Sequence, residues 1–562
     1  MQYLCRLDFE RWQEIIYFAK TNQNTMSDFS IGLTFSGGGY RAAAYHLGTL
    51  WMLHHLKVDD GTLLEHVEVL STISGGSITG LRYMQALTEG EDIDEMVDDV
   101  MDFMRHVDLV TDAFEQMDDY DHVNGASSIR TMKDIYDEKL FKGCTFGKLL
   151  EKMDEIHVNH YAANGTDFTN GYEFRFQISD IQRNESGYFG NASHRIPQNV
   201  IPQIRLSEAL ACSSCFPGGF EPMIFPDDFA IFQTEEGKEL LEKYGRFGIM
   251  DGGAIDNQGI EPLLLAEQRM RNKSGNQKEC ALDLVIVNDV THVNMTPYVP
   301  KNIKLPKLLN KLNLNRLCSY SNWITTLLAV AIIPTAIFKC TWLLCVLSSL
   351  FTVSAIFSIL FRIGRNKAKK ALGNTFLKHC VGDLLSLRFS DLGTMLFNRA
   401  TSLVTLTSGV FMKQIRTLEY KHLFENELFT NRAVANTIYE LEKGETFDKQ
   451  VENGKLPEYL RPSQAIRDNS QIASKVKPTL WFTEDDKKNQ TQERLFAAGR
   501  YSICFVLLRY IYKLRTKNYK NITKRHQMLL DLEPQLKEYW ERYQNNPLEG
   551  IKSEKRKVKS EE

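Results

Sequence analysis

The sequence predicts an α/β fold with a largely parallel central sheet, extended by an inserted apolar helical hairpin and a helical C-terminal part. Three observations lead to this prediction. Short β-rich runs alternate with helical patterns between residues 32 and 293, which is typical of parallel sheets covered by helices. A nearly uncharged run follows at residues 323–361, and helical patterns dominate residues 371–512. A chain of 562 residues is long enough for several such units.

Residues 29–300 carry the predicted α/β core, and residues 1–28 ahead of them predict an amphipathic helix without a signal-peptide pattern. Four apolar runs are strand candidates: IGLTFS at 31–36, VEVLSTIS at 67–74, YEFRFQIS at 172–179 and LDLVIVND at 282–289. In folds of this class, ligands bind beyond the carboxyl ends of the strands. We therefore expect the functional site in the loops that leave these runs.

The run at residues 323–361 contains a single charge, Lys339, in 39 residues. Lys339, with Pro334 shortly before it, divides the run into segments of 16 and 22 residues, which would rise about 24 and 33 Å against a hydrocarbon core of about 30 Å. Basic residues flank both ends, and this favours both ends on the cytoplasmic face. Two short spans or a re-entrant hairpin fit this pattern.

Beyond residue 371 the sequence predicts a mostly helical part that looks soluble again. Residues 371–512 predict helices that pack on the core, and residues 513–562 predict a charged, solvated helix with a flexible tail. The formal net charge of −4 at pH 7 argues against nucleic acid as a partner. Ten scattered cysteines suggest reduced thiols, and Cys212-x-x-Cys215 has no second pair with which to form a metal site. We therefore predict no metal and no cofactor.

A serine lies in a glycine-rich corner, LSTISGGSITG at residues 70–80. A nucleophilic serine needs a sharp strand-to-helix turn with small neighbours. Ser77 follows Gly75 and Gly76, and Thr79 makes the pattern G-x-S-x-T rather than G-x-S-x-G. The spacing predicts Ser77 as a candidate nucleophile, with the two glycines forming its elbow.

Three glycines end the first strand candidate and begin a helical pattern, in SGGGYRAAAYHLG at residues 36–48. Amides at a helix N-terminus attract an anion, and glycine permits its close approach. The bound anion could be an oxyanion or a dinucleotide pyrophosphate. The second alternative arises because Gly37, Gly39 and Ala42 fit G-x-G-x-x-A. The dinucleotide reading needs an acidic residue at the end of the next strand, whereas Asp59 and Asp60 lie in a turn before it.

A third motif, GIMDGGAIDNQG at residues 248–259, places Asp251 in a tight glycine corner. In this order, the three motifs resemble the patatin-like phospholipase family. The segment SEALACSSCFPGGFEP at 207–222 and the late strand LDLVIVNDVT at 282–291 are also similar to that family. The resemblance covers about residues 30–295. The sequence departs from it at Thr79 and in DNQG, where family members often carry a proline after the asparagine.

The resemblance implies a patatin-like three-layer fold and a Ser–Asp dyad without histidine or metal. It implies Ser77 as the nucleophile and Asp251 as the base. It also implies an oxyanion hole made of Gly37, Gly38 and Gly39 with neighbouring Arg41. A Ser–Asp–His order with His379 or His422 stays open as an alternative.

Together these features lead us to expect a membrane-anchored serine acyl hydrolase whose catalytic part faces the cytoplasm. Its partners would be the lipid bilayer and a membrane lipid, a phospholipid or lysophospholipid whose fatty-acyl ester it cleaves. A triacylglycerol lipase, a transacylase or a thioesterase would use the same site. A catalytically silent membrane scaffold is the alternative from another functional class.

Overall fold

The computed structural model describes most of the chain, and two expected segments lie outside it. The described residues are 29–58, 61–117, 127–179, 189–217, 219–274, 280–291, 298–304, 306, 312–373, 381–516 and 525–551. The predicted helix at 1–28 and the end of the predicted tail, from residue 552, therefore lie outside the described residues. The chain divides into two compact units, Met1–Met295 with Val410–Glu562, and Thr296–Gly409.

Within the described residues, the first unit contains a nine-stranded mixed sheet. Its strands are β1 (Ile31–Phe35), β2 (Val67–Ile73), β3 (His160–Asp167), β4 (Tyr172–Ser179), β5 (Phe189–Gly190), β6 (Met223–Phe225), β7 (Phe247–Asp251), β8 (Leu284–Asp289) and β9 (Ala433–Thr437). The spatial order is β9-β8-β1-β2-β3-β4-β5, and β7 pairs with both β3 and β6. Pairs from β9 to β3 are parallel and the others are antiparallel. The predicted α/β class and its four strand candidates are confirmed.

Helices cover the sheet and make up most of the second unit. They are α1 (Gly39–His55), α2 (Gly75–Glu89), α3 (Ile93–His106), α4 (Leu109–Met117), α5 (Ser128–Tyr136), α6 (Phe146–Glu151), α7 (Leu206–Ser214), α8 (Glu235–Tyr244), α9 (Ile260–Ser274), α10 (Leu314–Ile337), α11 (Thr341–Gly373), α12 (Val381–Ser386), α13 (Phe389–Thr405), α14 (Met412–Phe424), α15 (Gly444–Glu452), α16 (Gln464–Lys475), α17 (Glu484–Lys488), α18 (Thr491–Thr516), α19 (His526–Asp531) and α20 (Glu533–Asn545).

The sheet is buried on both faces. Side chains alternate along a strand, and in β8 Leu284 and Ile286 join the large core with residues of α1 and α2. Val285 and Val287 point the other way, into a smaller core with Leu263 of α9. Because both faces carry helices, the first unit has the three layers that the family resemblance implied.

The C-terminal part also contributes to the sheet, which the sequence did not predict. Strand β9 pairs in parallel with β8, from Val285 opposite Ala433 to Asp289 opposite Thr437. Its sequence, AVANT, contains two alanines and an asparagine, residues with low strand propensity. The strand forms because β8 offers a free edge, so tertiary pairing overrides the local preference.

The two helices after residue 525 are packed rather than solvated, which corrects our expectation for residues 513–562 where they are described. Leu536, Trp540 and Tyr543 are buried in the large core. The Trp540 indole donates a hydrogen bond to the Tyr459 carbonyl at 2.8 Å. The spacing of these residues forms an apolar stripe of helical period. Because charged residues lie between them, the sequence of this segment looks solvated although one face of the helix is apolar.

Three described helices are long and apolar enough to cross a membrane, namely α10, α11 and α18. Helix α18 is buried inside the first unit, where the Ser502 hydroxyl lies 2.7 Å from the Tyr45 hydroxyl of α1. In the second unit, α10 and α11 are mostly exposed and extend beyond the predicted 323–361. Lys339, with a positive φ of 53°, lies in the turn between them, as predicted.

We predict that Trp540→Ala destabilises the first unit. Removing this buried ring and its hydrogen bond should lower the free energy of unfolding by about 3–5 kcal/mol. Thermal unfolding in detergent, followed by near-ultraviolet circular dichroism, measures the change. The control is Trp342→Ala, because Trp342 is exposed on α11. Equal midpoints for the two variants would contradict the packing of α20 on the core.

Candidate active site

Two strand ends meet at one edge of β3 and define the site. Strand β2 runs parallel to β3 as far as Ile73 opposite Asn164. Strand β7 runs antiparallel to β3 and ends with Asp251 opposite Gly165. Because β4 pairs along the whole length of β3, β2 and β7 must share its other edge. The carboxyl ends of β2 and β7 therefore face each other, and the chain that leaves β2 meets Asp251.

Ser74 is the residue at the sharp turn between β2 and α2. Its φ of 51° and ψ of −121° lie in a strained region for a residue with a side chain. This strand-to-helix geometry is the one that presents a nucleophilic serine in hydrolases. Hydrogen bonding from the Ser74 hydroxyl lowers the pKa of Asp251, so the two side chains interact.

Ser77, the nucleophile proposed from the sequence, has different surroundings. It lies inside α2 with 0% of its surface exposed, whereas Ser74 is 8% exposed. Its hydroxyl lies 3.1 Å from the Thr72 hydroxyl and 2.9 Å from the Ser213 hydroxyl. Among the described contacts of Ser77 there is none with Asp251. The geometry therefore favours Ser74 over Ser77 as the nucleophile.

The sequence itself contains a pattern that fits Ser74. Ser74 fits T-x-S-x-G with Thr72 and Gly76, a match as close as the G-x-S-x-T that selected Ser77. The elbow residue is the one between the end of the strand and the start of the helix. With β2 ending at Ile73 and α2 beginning at Gly75, Ser74 alone satisfies that condition.

The glycine-rich loop packs directly against the serine elbow. A Cβ atom on Gly75 would overlap the carbonyl oxygen of Gly39 and would lie 2.6 Å from its amide nitrogen. A Cβ atom on Gly37 would lie 3.1 Å from the Ser74 Cβ. This close packing explains why the elbow and the loop both require glycine. It also places the loop amides next to Ser74.

Of the three glycine amides predicted as oxyanion donors, two are free of a backbone acceptor among the described residues and one is not. The Gly37 amide donates to the Asn257 carbonyl at 3.1 Å, and the Tyr40 amide donates to the Thr479 carbonyl at 2.8 Å. The amides of Gly38 and Gly39 have no such acceptor among the described residues. These two residues have φ values of 148° and 60° at the N-terminus of α1. Their amides are the ones that can receive a negative charge.

Arg41 has a supporting position beside this loop. Its Nη1 donates to the Val476 carbonyl at 2.9 Å, and burial lowers its pKa to about 10. The guanidinium therefore stays charged at neutral pH and fixes residues 476–479 over the glycine loop. It holds the C-terminal segment against the loop, a role that the sequence did not suggest.

Asp251 has the properties of a general base. Its carboxylate accepts a hydrogen bond from the Gly253 amide at 2.7 Å, and its own amide donates to the Cys215 carbonyl. Burial raises the pKa of Asp251 to about 6, although the hydrogen bonds from Gly253 and Ser74 oppose that shift. A carboxylate with this pKa is a stronger base than one in water and is still ionised at neutral pH.

The other candidates lie elsewhere or outside the described residues. The His422 Nδ1 lies 3.6 Å from a carboxylate oxygen of Glu261, so its described partner is an acidic residue of α9 rather than either serine. His379, Asp59 and Asp60 lie outside the described residues.

Comparison with known proteins agrees with the geometry. A family model described as patatin-like phospholipase matches residues 33–264. The match spans the glycine loop, both serines of the elbow and Asp251. No match was found among curated proteins.

We predict that Gly39→Ala removes most esterase activity while the protein stays folded. The added Cβ would overlap the Thr479 carbonyl oxygen, and the displaced loop would lose its donors, a loss worth about 10²–10³ in rate per donor. Hydrolysis of a fluorogenic acyl ester measures the effect. Gly90→Ala is the matched control, because Gly90 has a similar φ of 67° with nothing within 4 Å. Equal activities would contradict the role of the loop.

Proposed function

The chain contains a patatin-like phospholipase domain over residues 33–264, and on this premise we propose that it is a membrane-anchored serine hydrolase of phospholipid or lysophospholipid acyl esters. The domain supports a lipid acyl hydrolase in general. The observation that carries the catalytic proposal is the interaction of Ser74, on its strained turn, with buried Asp251 beside the glycine loop.

In the proposed first half-reaction, the Ser74 oxygen attacks the acyl carbonyl carbon while Asp251 takes the hydroxyl proton. The negative charge that develops on the carbonyl oxygen is stabilised by the amides of Gly38 and Gly39. When the ester bond breaks, Asp251 returns its proton to the leaving alcohol, and the acyl group stays on Ser74. The lysolipid or alcohol product then departs.

The second half-reaction releases the fatty acid. Asp251 accepts a proton from a water molecule, whose oxygen attacks the acyl-enzyme carbonyl. The Ser74 oxygen leaves with the proton from Asp251, and the dyad returns to its starting state. One carboxylate serves as base and acid in turn, so no histidine is required.

Membrane anchoring is supported by the surface of the second unit. Apolar side chains such as Phe338, Trp342 and Ile337 are largely exposed on or beside α10 and α11, and in water such a surface would be costly. Within this pair, the Thr325 and Ser354 hydroxyls lie 2.8 Å apart, a polar contact typical of helices packed in a bilayer. With both ends of the pair on the cytoplasmic face, the anchor would raise the local concentration of lipid substrate.

We predict that Ser74→Ala abolishes hydrolysis and that Ser77→Ala retains it. Without the Ser74 oxygen no acyl-enzyme can form, whereas the described contacts of the Ser77 hydroxyl are hydrogen bonds with Thr72 and Ser213. Mass spectrometry of liposomes containing phospholipid and triacylglycerol would measure the fatty acid, lysolipid or diacylglycerol released.

The products also separate the alternatives. Lysolipid from phospholipid supports the proposed substrate, diacylglycerol indicates a neutral-lipid lipase, and acyl transfer to added lysolipid indicates a transacylase. Full activity of Ser74→Ala with loss in Ser77→Ala would contradict our assignment. Absence of any serine-dependent product would indicate a scaffold.

We predict that kcat/KM for a soluble acyl ester rises with pH through a midpoint near 6. The base must be ionised to take the Ser74 proton, and burial raises the pKa of Asp251 to about 6. Activity is therefore lost as the pH falls below that value and is constant above it. The pH–rate profile of the parent measures this. A midpoint near 4, the value of an aspartate in water, would contradict a buried base.

A further inference from the structure

A cluster of potential metal ligands lies between α9 and α14, apart from the serine elbow. The ligand atoms of Glu261, Glu419 and His422 all lie within 4.8 Å of one another. Glu419 and His422 are three residues apart on α14 and so share one helix face. Glu261 is the second residue of α9. Three ligand groups from two helices thus converge on one point.

Two carboxylate oxygens, one in the cluster and one on β4, are buried without a hydrogen-bond partner among the described residues. Glu173 on β4 is only 8% exposed, and its Oε2 accepts hydrogen bonds from the Arg175 guanidinium. Its Oε1 is buried and has no hydrogen-bond partner among the described residues, and the same holds for Glu419 Oε2. Burying such an oxygen without a donor is costly. A cation bound by the cluster would remove that cost for the Glu419 oxygen.

The carboxylates around the cluster also carry an excess of negative charge, which a cation would offset. The carboxylates of Glu173, Glu261 and Glu419 repel one another. The nearby Asp256 carboxylate does not add a free ligand, because it accepts hydrogen bonds from the amides of Gln258, Gly259 and Glu261.

We propose that Glu261, Glu419 and His422 bind one divalent transition-metal ion such as Zn²⁺ or Mn²⁺. Mixed imidazole and carboxylate donors suit these ions, whereas Ca²⁺ and Mg²⁺ prefer oxygen ligands alone. Glu261 and His422 are 38% and 56% exposed, so an ion can enter from solvent and keep bound water. Local sequence patterns do not indicate this site, because Glu261 lies far from Glu419 and His422 along the chain.

Such an ion would have a structural effect near the active site. It would fix the start of α9 to α14, and α9 follows the corner that contains Asn257. The Asn257 carbonyl accepts the hydrogen bond from the Gly37 amide of the glycine loop. The ion would therefore stabilise the support of that loop without touching substrate. This proposal does not depend on the hydrolase activity.

The test is calorimetric titration of the full chain in detergent after treatment with EDTA, using ZnCl₂ and MnCl₂. We expect one ion per chain, and we expect Glu419→Gln and His422→Gln each to weaken binding by at least about tenfold. His106→Gln is the matched control, since the His106 side chain is 59% exposed and its described ion pair is with Asp102, at 3.5 Å. Saturating Zn²⁺ should raise the unfolding temperature of the parent and not that of His422→Gln.

Absence of saturable binding, or equal binding by the parent and His422→Gln, would overturn the proposal. Circular dichroism checks that each variant is folded. If Glu419→Gln fails to fold, the absorption spectrum of Co²⁺ added to the parent and to His422→Gln decides the matter. A spectrum of protein-coordinated Co²⁺ that is lost in His422→Gln supports the site, and the spectrum of aqueous Co²⁺ in both overturns it.

Discussion

The geometry of the site depends on one constraint, the sharing of a single edge of β3 by two strands of opposite direction. Strand β2 occupies the first part of that edge and β7 the last part. Because the two strands run in opposite directions, their carboxyl ends lie next to each other. One end continues into the strained turn at Ser74, and the other ends at Asp251. Backbone pairing, rather than any side-chain contact, therefore brings the hydroxyl and the carboxylate together.

The glycine loop depends on a part of the chain beyond the range that the family model matches. That range ends at residue 264, yet the glycine loop is covered by residues 476–479, through the Tyr40 amide and the Arg41 guanidinium. The same C-terminal part adds β9 to the sheet and buries α18 against α1. Residues 33–264 are thus held in place by the C-terminal part, which belongs to the same compact unit.

Much of this arrangement could be predicted from local sequence, because its strands are apolar and its turns are rich in glycine. The four strand candidates, the glycine loop and the corner at Asp251 follow from such patterns. The choice between Ser74 and Ser77 depends on a backbone angle, and both serines fit near-matches of one motif. Strand β9 and the packing of Trp540 depend on partners distant in the chain. Those features are set by tertiary contacts that a local pattern does not contain.

The most direct test of the account is to identify the residue that reacts with a fluorophosphonate. Such a reagent forms a covalent bond with an activated serine, and fragment-ion mass spectrometry of the peptide spanning residues 70–80 locates the adduct. The account predicts the adduct on Ser74 in the parent and no adduct in Asp251→Asn, because the base that activates the serine is missing. An adduct on Ser77, or equal labelling without the Asp251 carboxylate, would contradict the proposed Ser74–Asp251 dyad.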